Sequence, residues 1–120
     1  MIQFPFSISS SQLVAKTLKS GGVICFPTET VYGLGGNALS KKVVEEVFAI
    51  KRRPADKSLS VLVNLEWIPK LTYWEDNKVD RIMNAFWPGP LTLVLHAQPE
   101  LPGYLKSPNG TVAIRWSSSV

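Results

Sequence analysis

The sequence contains few of the residues that build disulfide frameworks and metal clusters. Its 120 residues include one cysteine, Cys25, and one histidine, His96. A lone cysteine excludes a disulfide framework and favours a reducing compartment, so we expect a cytoplasmic protein. One histidine and one cysteine also supply too few ligands for a zinc-type cluster, and no metal-binding residue is predicted. We interpret Cys25 as a small core residue and His96 as the end of a strand.

Long apolar runs and targeting patterns are also lacking. No stretch of the sequence reaches membrane-spanning length, and the first residues lack the layout of a signal peptide, so no membrane partner is expected. No Gly-Lys-Ser or Gly-Lys-Thr sequence occurs, which excludes a P-loop nucleotide site. Thirteen Lys and Arg against nine Asp and Glu give a net charge of +4. That modest excess suits an anionic ligand such as a nucleotide or RNA.

The sequence does contain alternating helix and strand patterns. Apolar residues at helical spacing predict helices over residues 11–20, 41–53 and 75–86, with a short helical turn near Trp67. Short apolar runs predict strands over 23–27, 59–63, 91–96 and 111–116. This alternation predicts a single α/β domain over residues 1–120. The final "SSSV" is typical of the start of another helix, so we expect a chain truncated at its C-terminus, although a frayed terminus is the alternative.

A polar, glycine-rich segment, "FPTETVYGLGGNA" (26–38), follows the first predicted strand. In an extended chain Thr28, Thr30 and Tyr32 fall on one side. Hydroxyls and bare backbone at the carboxyl end of a strand suit a small polar ligand, although an ordinary glycine-rich loop is the alternative. "GLGGNA" also resembles the dinucleotide-binding fingerprint, but its first glycine lies too far after the strand.

A second candidate site is the basic segment "KRRPADK" (51–57). Lys51 continues the helical spacing of the valines before it, so we expect it in the buried stripe of its helix, where it must either extend its charged end to solvent or face a cleft in which an anion meets it. Arg53 precedes a proline, which directs it out of helical geometry, and Lys57 adds a third cation. The alternative is that these cations complement the helix dipole, which explains Arg52 well and Lys51 poorly.

Four blocks of the sequence resemble the YrdC/TsaC family of threonylcarbamoyl-AMP synthases. They are, in family order, "GGVICFPTETVYGLGGNA", "AIKRRPADKSLSVLV", "WPGPLTLVL" and "TVAIRW". The resemblance implies a twisted mixed sheet with helices packed on it and an open, basic, concave face. It also implies a nucleotidyltransferase that makes threonylcarbamoyl-AMP and pyrophosphate from L-threonine, bicarbonate and ATP. Partner proteins would then pass the threonylcarbamoyl group to an adenosine of tRNA.

The resemblance also implies roles for individual residues. Lys51 and Arg53 match the family's Lys-x-Arg pair and are expected to hold the nucleotide phosphates during catalysis. Thr111 matches a position near the nucleotide. Mg²⁺ would arrive with the phosphates, without a dedicated carboxylate cage. The family's Ser-x-Asn block has no counterpart before this sequence ends. The expected substrate-binding positions are Thr28, Thr30, Tyr32, Lys57 and Arg115.

Two other functions are compatible with the same fold. A non-catalytic module would bind tRNA or double-stranded RNA through its phosphates. A carbamoyl-transfer domain of the hydrogenase-maturation type shares the fold, but its usual zinc-finger and acylphosphatase companions do not occur in this sequence.

Overall fold

The computed structural model describes residues 8–54 and 56–118, and within them helices alternate with short strands. No helix in these two ranges is long and apolar enough to cross a membrane. The helices are α1 (Ile8–Lys19), α2 (Lys41–Lys51), α3 (Ile68–Leu71) and α4 (Asn77–Phe86), with a 3₁₀ turn at Gly103–Leu105. The strands are β1 (Ile24–Phe26), β2 (Gly33–Gly35), β3 (Val61–Leu62), β4 (Thr72–Tyr73), β5 (Thr92–Ala97) and β6 (Thr111–Arg115).

The strands form two sheets. β1 and β2 pair antiparallel, and the larger sheet has the order β3-β6-β5-β4. Within it β3 runs parallel to β6, whereas β6, β5 and β4 are antiparallel neighbours. This combination confirms the predicted mixed α/β fold. Sequence patterns did not predict β2 and β4, because strands of two or three residues are too short to show alternation.

One face of the larger sheet carries the hydrophobic core. Val112 and Ile114 of β6 are 1% and 0% exposed, the lowest values among the apolar core residues. On β5, Leu93 and Leu95 pair with them in register and point to the same side. Further core residues come from other elements, namely Val44 of α2, Val61 of β3, Ile68 and Leu71 of α3, and Trp87, Ala97, Leu101 and Leu105. The opposite face of this sheet contributes none of these core residues.

Helix α2 begins where its cap predicts and ends at Lys51, the first residue of the basic segment. The Ser40 hydroxyl accepts a hydrogen bond from the Val43 amide, which satisfies one free N–H of the first turn. At the other end Arg52 adopts a left-handed conformation with φ of 51°, which stops the helix. Residues 52–54 and 56–58 are therefore not a further turn of the helix.

Two expectations about burial are wrong. Lys51 is exposed, because α2 ends at this residue and its last turn extends beyond the buried valines, as the 53% exposure of Ile50 also shows. Cys25 is exposed rather than a core residue. On the other side of the β1–β2 pair, the Phe26 ring lies over Gly33 and Gly35, so close that an added side chain at Gly33 would come within 3.0 Å of it. Cys25 points away from that contact because side chains alternate along a strand.

Candidate active site

The face of the larger sheet opposite the core, here called the open face, exposes side chains from all four strands. Val94 of β5 is 63% exposed, Tyr73 of β4 44% and Leu62 of β3 43%. Exposed apolar and aromatic groups on a sheet face are typical of a surface that receives a ligand or a further segment. The remaining members of the open face are Thr92, His96, Thr111, Ala113 and Arg115.

At one end of the open face, Arg115 joins β6 to the loop that follows β1. Its Nη2 lies 2.7 Å from Glu29 Oε1 and 3.1 Å from the Thr30 hydroxyl. The Ser117 hydroxyl donates to the second oxygen of the Glu29 carboxylate. Both side chains of the ion pair are only 16% exposed. The loop is therefore fixed on the end of β6 by a charge-assisted network.

This network changes the acidity of Glu29. The hydrogen bond from Ser117 and then the one from Arg115 lower the pKa of Glu29 from its ordinary value of 4.5 to about 2, against the opposing effect of burial. Hydrogen bonds to a carboxylate stabilise its charged form. Glu29 consequently stays ionised at all physiological pH values and keeps Arg115 in place.

The guanidinium of Arg115 retains donors for a ligand. Among the described residues, its hydrogen bonds involve Nη2 alone, and Nε is buried without a partner. A buried donor without a partner is costly, and a carboxylate accepting from Nη1 and its neighbours would satisfy the planar fork of donors. This end of the open face is thus suited to an anionic group.

The hydroxyls of Thr28 and Thr30 lie beside this arginine, 3.2 Å apart. Thr28 also donates to the carbonyl of Val31 at 2.6 Å, so the segment turns here instead of remaining extended. The turn explains why Glu29 and Thr30 both reach Arg115, although neighbouring residues of an extended strand point to opposite sides. Tyr32 follows the turn and is 74% exposed, and no described contact ties it to Arg115.

The described residues of the basic segment, 51–54 and 56–57, form the end of α2 and a loop before β3, here called the basic loop. Arg53 donates from Nε to the carbonyl of Lys57 and from Nη2 to that of Ser58, both at 2.9 Å. The guanidinium thereby closes the loop, while the side chains of Lys51 and Lys57 are exposed. Two cations are thus free to meet an anion, and Arg53 fixes the backbone between them.

Strand register relates this loop to Thr111. Val61 of β3 pairs with Ile114 of the parallel strand β6. Ser58 comes three residues before Val61, and Thr111 comes three residues before Ile114. Because the two strands are parallel, the basic loop reaches the sheet at the Thr111 end of β6. The Thr111 hydroxyl lies 2.7 Å from that of Ser107 and 2.8 Å from Asn109 Oδ1, which fixes its orientation.

Thr111 and Arg115 share the open face, as their spacing predicts. Residues 111, 113 and 115 are partly exposed, whereas 112 and 114 are buried. Four residues at ~3.3 Å each separate the two side chains by about 13 Å along the strand. The structure thus brings Thr28, Thr30 and Arg115 to one end of the face and directs Arg53, Lys57 and Thr111 to the other.

Sequence reasoning missed Glu29 and Ser117. Glu29 is the only charged residue between Cys25 and Ser40, and that was the available signal, since an isolated charge among hydroxyls and glycines requires a partner. Ser117 gave no comparable signal, because it lies in a run of serines after the last strand.

No described residues form a preassembled metal site. Within 8–54 and 56–118, no three His, Cys, Asp or Glu side chains lie close enough together to hold a metal ion.

The geometry thus defines a mixed α/β domain with cations at both ends of an open sheet face. A family model for Sua5/YciO/YrdC proteins, described as "Telomere recombination", matches residues 16–120. The chain belongs to this family, which confirms the resemblance found in its sequence.

Named relatives agree with this assignment. The threonylcarbamoyl-AMP synthase of Pyrococcus abyssi is 38% identical over 105 residues, which are 87% of this chain and 31% of that protein. The threonylcarbamoyl-AMP synthase of Sodalis glossinidius is 38% identical over 118 residues, or 92% of this chain and 61% of that protein. The chain therefore spans between about a third and three-fifths of the length of these relatives.

Solved structures are similar over nearly the whole chain. The crystal structure of P. abyssi Sua5 complexed with L-threonine superposes with a TM-score of 0.87 at 34% identity, covering 98% of this chain and 35% of that one. E. coli YciO superposes with a TM-score of 0.81 at 26% identity, covering 97% of this chain and 56% of that one.

Proposed function

We propose that this chain carries the threonine- and ATP-binding face of a threonylcarbamoyl-AMP synthase. The overall reaction would join L-threonine, bicarbonate and ATP into threonylcarbamoyl-AMP and release pyrophosphate. The observation that best supports this proposal is that Glu29 holds Arg115 beside the hydroxyls of two threonines. Arg115 lies about 13 Å along β6 from Thr111, the end of the strand that the basic loop reaches. The names of the relatives, and the threonine complex of P. abyssi Sua5, support the choice of substrates.

The Arg115 end would bind threonine. The free N–H groups of the Arg115 guanidinium would donate hydrogen bonds to the substrate carboxylate, and the hydroxyls of Thr28 and Thr30 would meet its polar groups. Glu29 would hold the arginine in place, and the Ser117 hydroxyl would in turn hold the Glu29 carboxylate. Tyr32, exposed beside the turn, would close over the substrate.

The opposite end would bind the nucleotide. Lys51 and Lys57 would neutralise the phosphates as mobile point charges, and Arg53 would hold the basic loop in place. Thr111 would lie near them at the start of β6. The threonine amine would form a C–N bond with the carbon of bicarbonate and water would leave, which gives the carbamate. The carbamate oxygen would then attack the α-phosphorus, and pyrophosphate would leave as its bond to that phosphorus breaks. Both reactants are anions, so positioning and neutralisation are the main tasks of the site.

Mg²⁺ would enter this site with the triphosphate. The described residues offer no group of three ligands for it, so phosphate oxygens and water would provide its coordination. The roles of Arg115, Lys51 and Lys57 depend on their own charges and not on the metal.

The product would serve tRNA modification in the cytoplasm. Partner proteins would transfer the threonylcarbamoyl group to tRNA, and the net charge of +4 suits direct contact with RNA phosphates. A module that binds only RNA is the alternative that the same charge supports.

One experiment separates these two functions. The protein is incubated with ATP, L-threonine and bicarbonate, and pyrophosphate release is measured with and without threonine. Threonine-dependent release is expected. A module that only binds RNA would release none, yet would shift tRNA in a gel in a salt-dependent manner.

A further inference from the structure

Three side chains form a row across the open face, and two of them, Tyr73 and His96, have no role in the function proposed so far. Tyr73 of β4 pairs in register with His96 of β5, and His96 pairs with Thr111 of β6. The rings of Tyr73 and His96 are stacked, with centroids 5.4 Å apart and planes 20° from parallel. The row therefore runs from an aromatic pair at the sheet edge to a small hydroxyl side chain in the middle.

A cavity of about 420 Å³ lies over this row. Its volume falls in the ~300–1,000 Å³ range of small-molecule sites. The aromatic pair, Thr111 and the exposed Val94 line it together with Glu75 and Asp76. The cavity thus combines flat aromatic and apolar surface with two carboxylates.

The charges in this cavity exclude phosphate and favour a base. Asp76 already caps α4 by accepting from the Lys78 amide at 2.9 Å. Glu75 makes no ion pair or side-chain hydrogen bond with any residue that the structure describes, so its negative charge is left to repel phosphate from the β4 side of the cavity. The nearest assigned phosphate ligands belong to the basic loop, which reaches the sheet beyond Thr111.

Strand spacing determines where a flat ligand would fit. Neighbouring strands lie ~4.8 Å apart, so a planar ring placed over Thr111 would lie against the free side of the His96 imidazole. There it would continue the existing stack of Tyr73 and His96. A base placed over Thr111 would also leave its ribose and phosphates pointing towards the basic loop, away from Glu75.

From this arrangement we propose that His96, supported by Tyr73, is the stacking platform for the purine base of the nucleotide. The proposal rests on the proposed function for the presence of a nucleotide, and it adds the place and orientation of the base. Stacking on an aromatic side chain is worth about 1–3 kcal/mol per base, which corresponds to a roughly 5- to 150-fold change in affinity.

The test uses the fact that His96 is the only histidine of the chain, so its ring signals in a proton–carbon NMR spectrum are unique. ATP is titrated into the protein, and tripolyphosphate, which lacks a base, is titrated in parallel. We expect ATP to shift the His96 ring signals, while both ligands shift the backbone amides of Arg53 and Lys57.

Two variants measure the contribution of the ring to binding. His96→Ala is expected to weaken ATP binding by roughly 5- to 150-fold and to leave the tripolyphosphate affinity unchanged. His96→Phe keeps a flat ring and should retain most of the ATP affinity, which also controls for loss of the fold.

The outcomes that contradict the proposal are distinct. If ATP shifts the amides of the basic loop but neither moves the His96 signals nor binds His96→Ala less tightly, the base lies elsewhere while the proposed function stands. If tripolyphosphate shifts the His96 ring as much as ATP does, the response reports charge and the platform is wrong. If no signal responds to either ligand, the nucleotide half of the proposed function fails as well.

Discussion

Arg115 Nη2 lies 2.7 Å from Glu29 Oε1, although 86 residues separate the two in the sequence. The contact joins the loop after β1 to the last described strand. It also spans the two sheets, because β1 belongs to one and β6 to the other. The orientation of the proposed threonine-binding arginine therefore depends on a residue from a different sheet.

Glu29→Ala is expected to impair threonine use specifically. Without the carboxylate, Arg115 loses its charged partner and is no longer held beside Thr30. The loss of a charged hydrogen bond of this kind is expected to raise the KM for threonine roughly tenfold to hundredfold. The ATP affinity should stay unchanged, because the basic loop is at the other end of the face. Steady-state kinetics of threonine-dependent pyrophosphate release measures both.

A matched variant controls for the loss of a surface carboxylate. Glu45 forms only an exposed pair with Lys41 at 3.9 Å, so Glu45→Gln should leave both kinetic constants unchanged. Glu29→Gln keeps an oxygen acceptor and should lie between wild type and Glu29→Ala. A KM for threonine that is equal in all three variants would contradict the positioning role of Glu29.

The lowered pKa of Glu29 predicts a particular acid lability. Its pKa is about 2 in the folded protein against 4.5 ordinarily, so the unfolded chain takes up the proton first as pH falls. The stabilisation is fully present above about pH 4.5 and is lost progressively as pH falls towards 2. Thermal unfolding should show wild type more stable than Glu29→Gln at neutral pH, with a difference that shrinks below pH 4.5. A difference independent of pH would show that the charge of Glu29 does not contribute.

Gly36→Ala is expected to destabilise the junction between β2 and α2. A Cβ at this position would lie 2.3 Å from Val43 Cγ1 and 3.0 Å from the carbonyl oxygen of Gly22, both of which are held by surrounding structure. Overpacking of this kind costs about 1–3 kcal/mol in the free energy of unfolding. Urea denaturation measures the loss.

Gly103→Ala provides the control, since an added Cβ there meets no atom within 4 Å. It should leave the free energy of unfolding nearly unchanged. Equal effects of the two substitutions would mean that the close approach of Gly36 to Val43 does not limit stability.

The fold was predictable where patterns are local. The valines of α2 recur at helical spacing and are buried, and the alternation along β6 places 112 and 114 in the core as expected. The short strands β2 and β4 were not predictable, because they exist through pairing with β1 and β5 rather than through any pattern of their own. Sheet order likewise depends on contacts between distant residues.

The candidate site was predictable only in part. Thr28, Thr30 and Arg115 do come together, but the residue that fixes the arginine, Glu29, was expected on the opposite side of an extended segment. The burial expected for Lys51 failed for a related reason. Helical spacing predicts burial only where the helix and the core packed against it both continue. Helix α2 ends at Lys51, beyond the valines that contact the core.

Lys51→Ala and Arg53→Ala are expected to reduce ATP binding for different reasons. Lys51 is exposed and has no described structural contact, so its loss should remove a phosphate contact while leaving the free energy of unfolding unchanged. Arg53 closes the basic loop through two hydrogen bonds to backbone carbonyls, so its loss should also destabilise the protein by about 1–3 kcal/mol.

Arg53→Lys keeps the positive charge but lacks the planar set of donors of arginine. It should recover little of the ATP affinity or the stability, because one ammonium cannot donate to both carbonyls and the ligand. Calorimetric ATP titration and urea denaturation of the three variants separate the two effects. An ATP affinity that is unchanged in both alanine variants would remove the basic loop from the nucleotide site, and the phosphates would then have to be sought along the open face nearer Arg115.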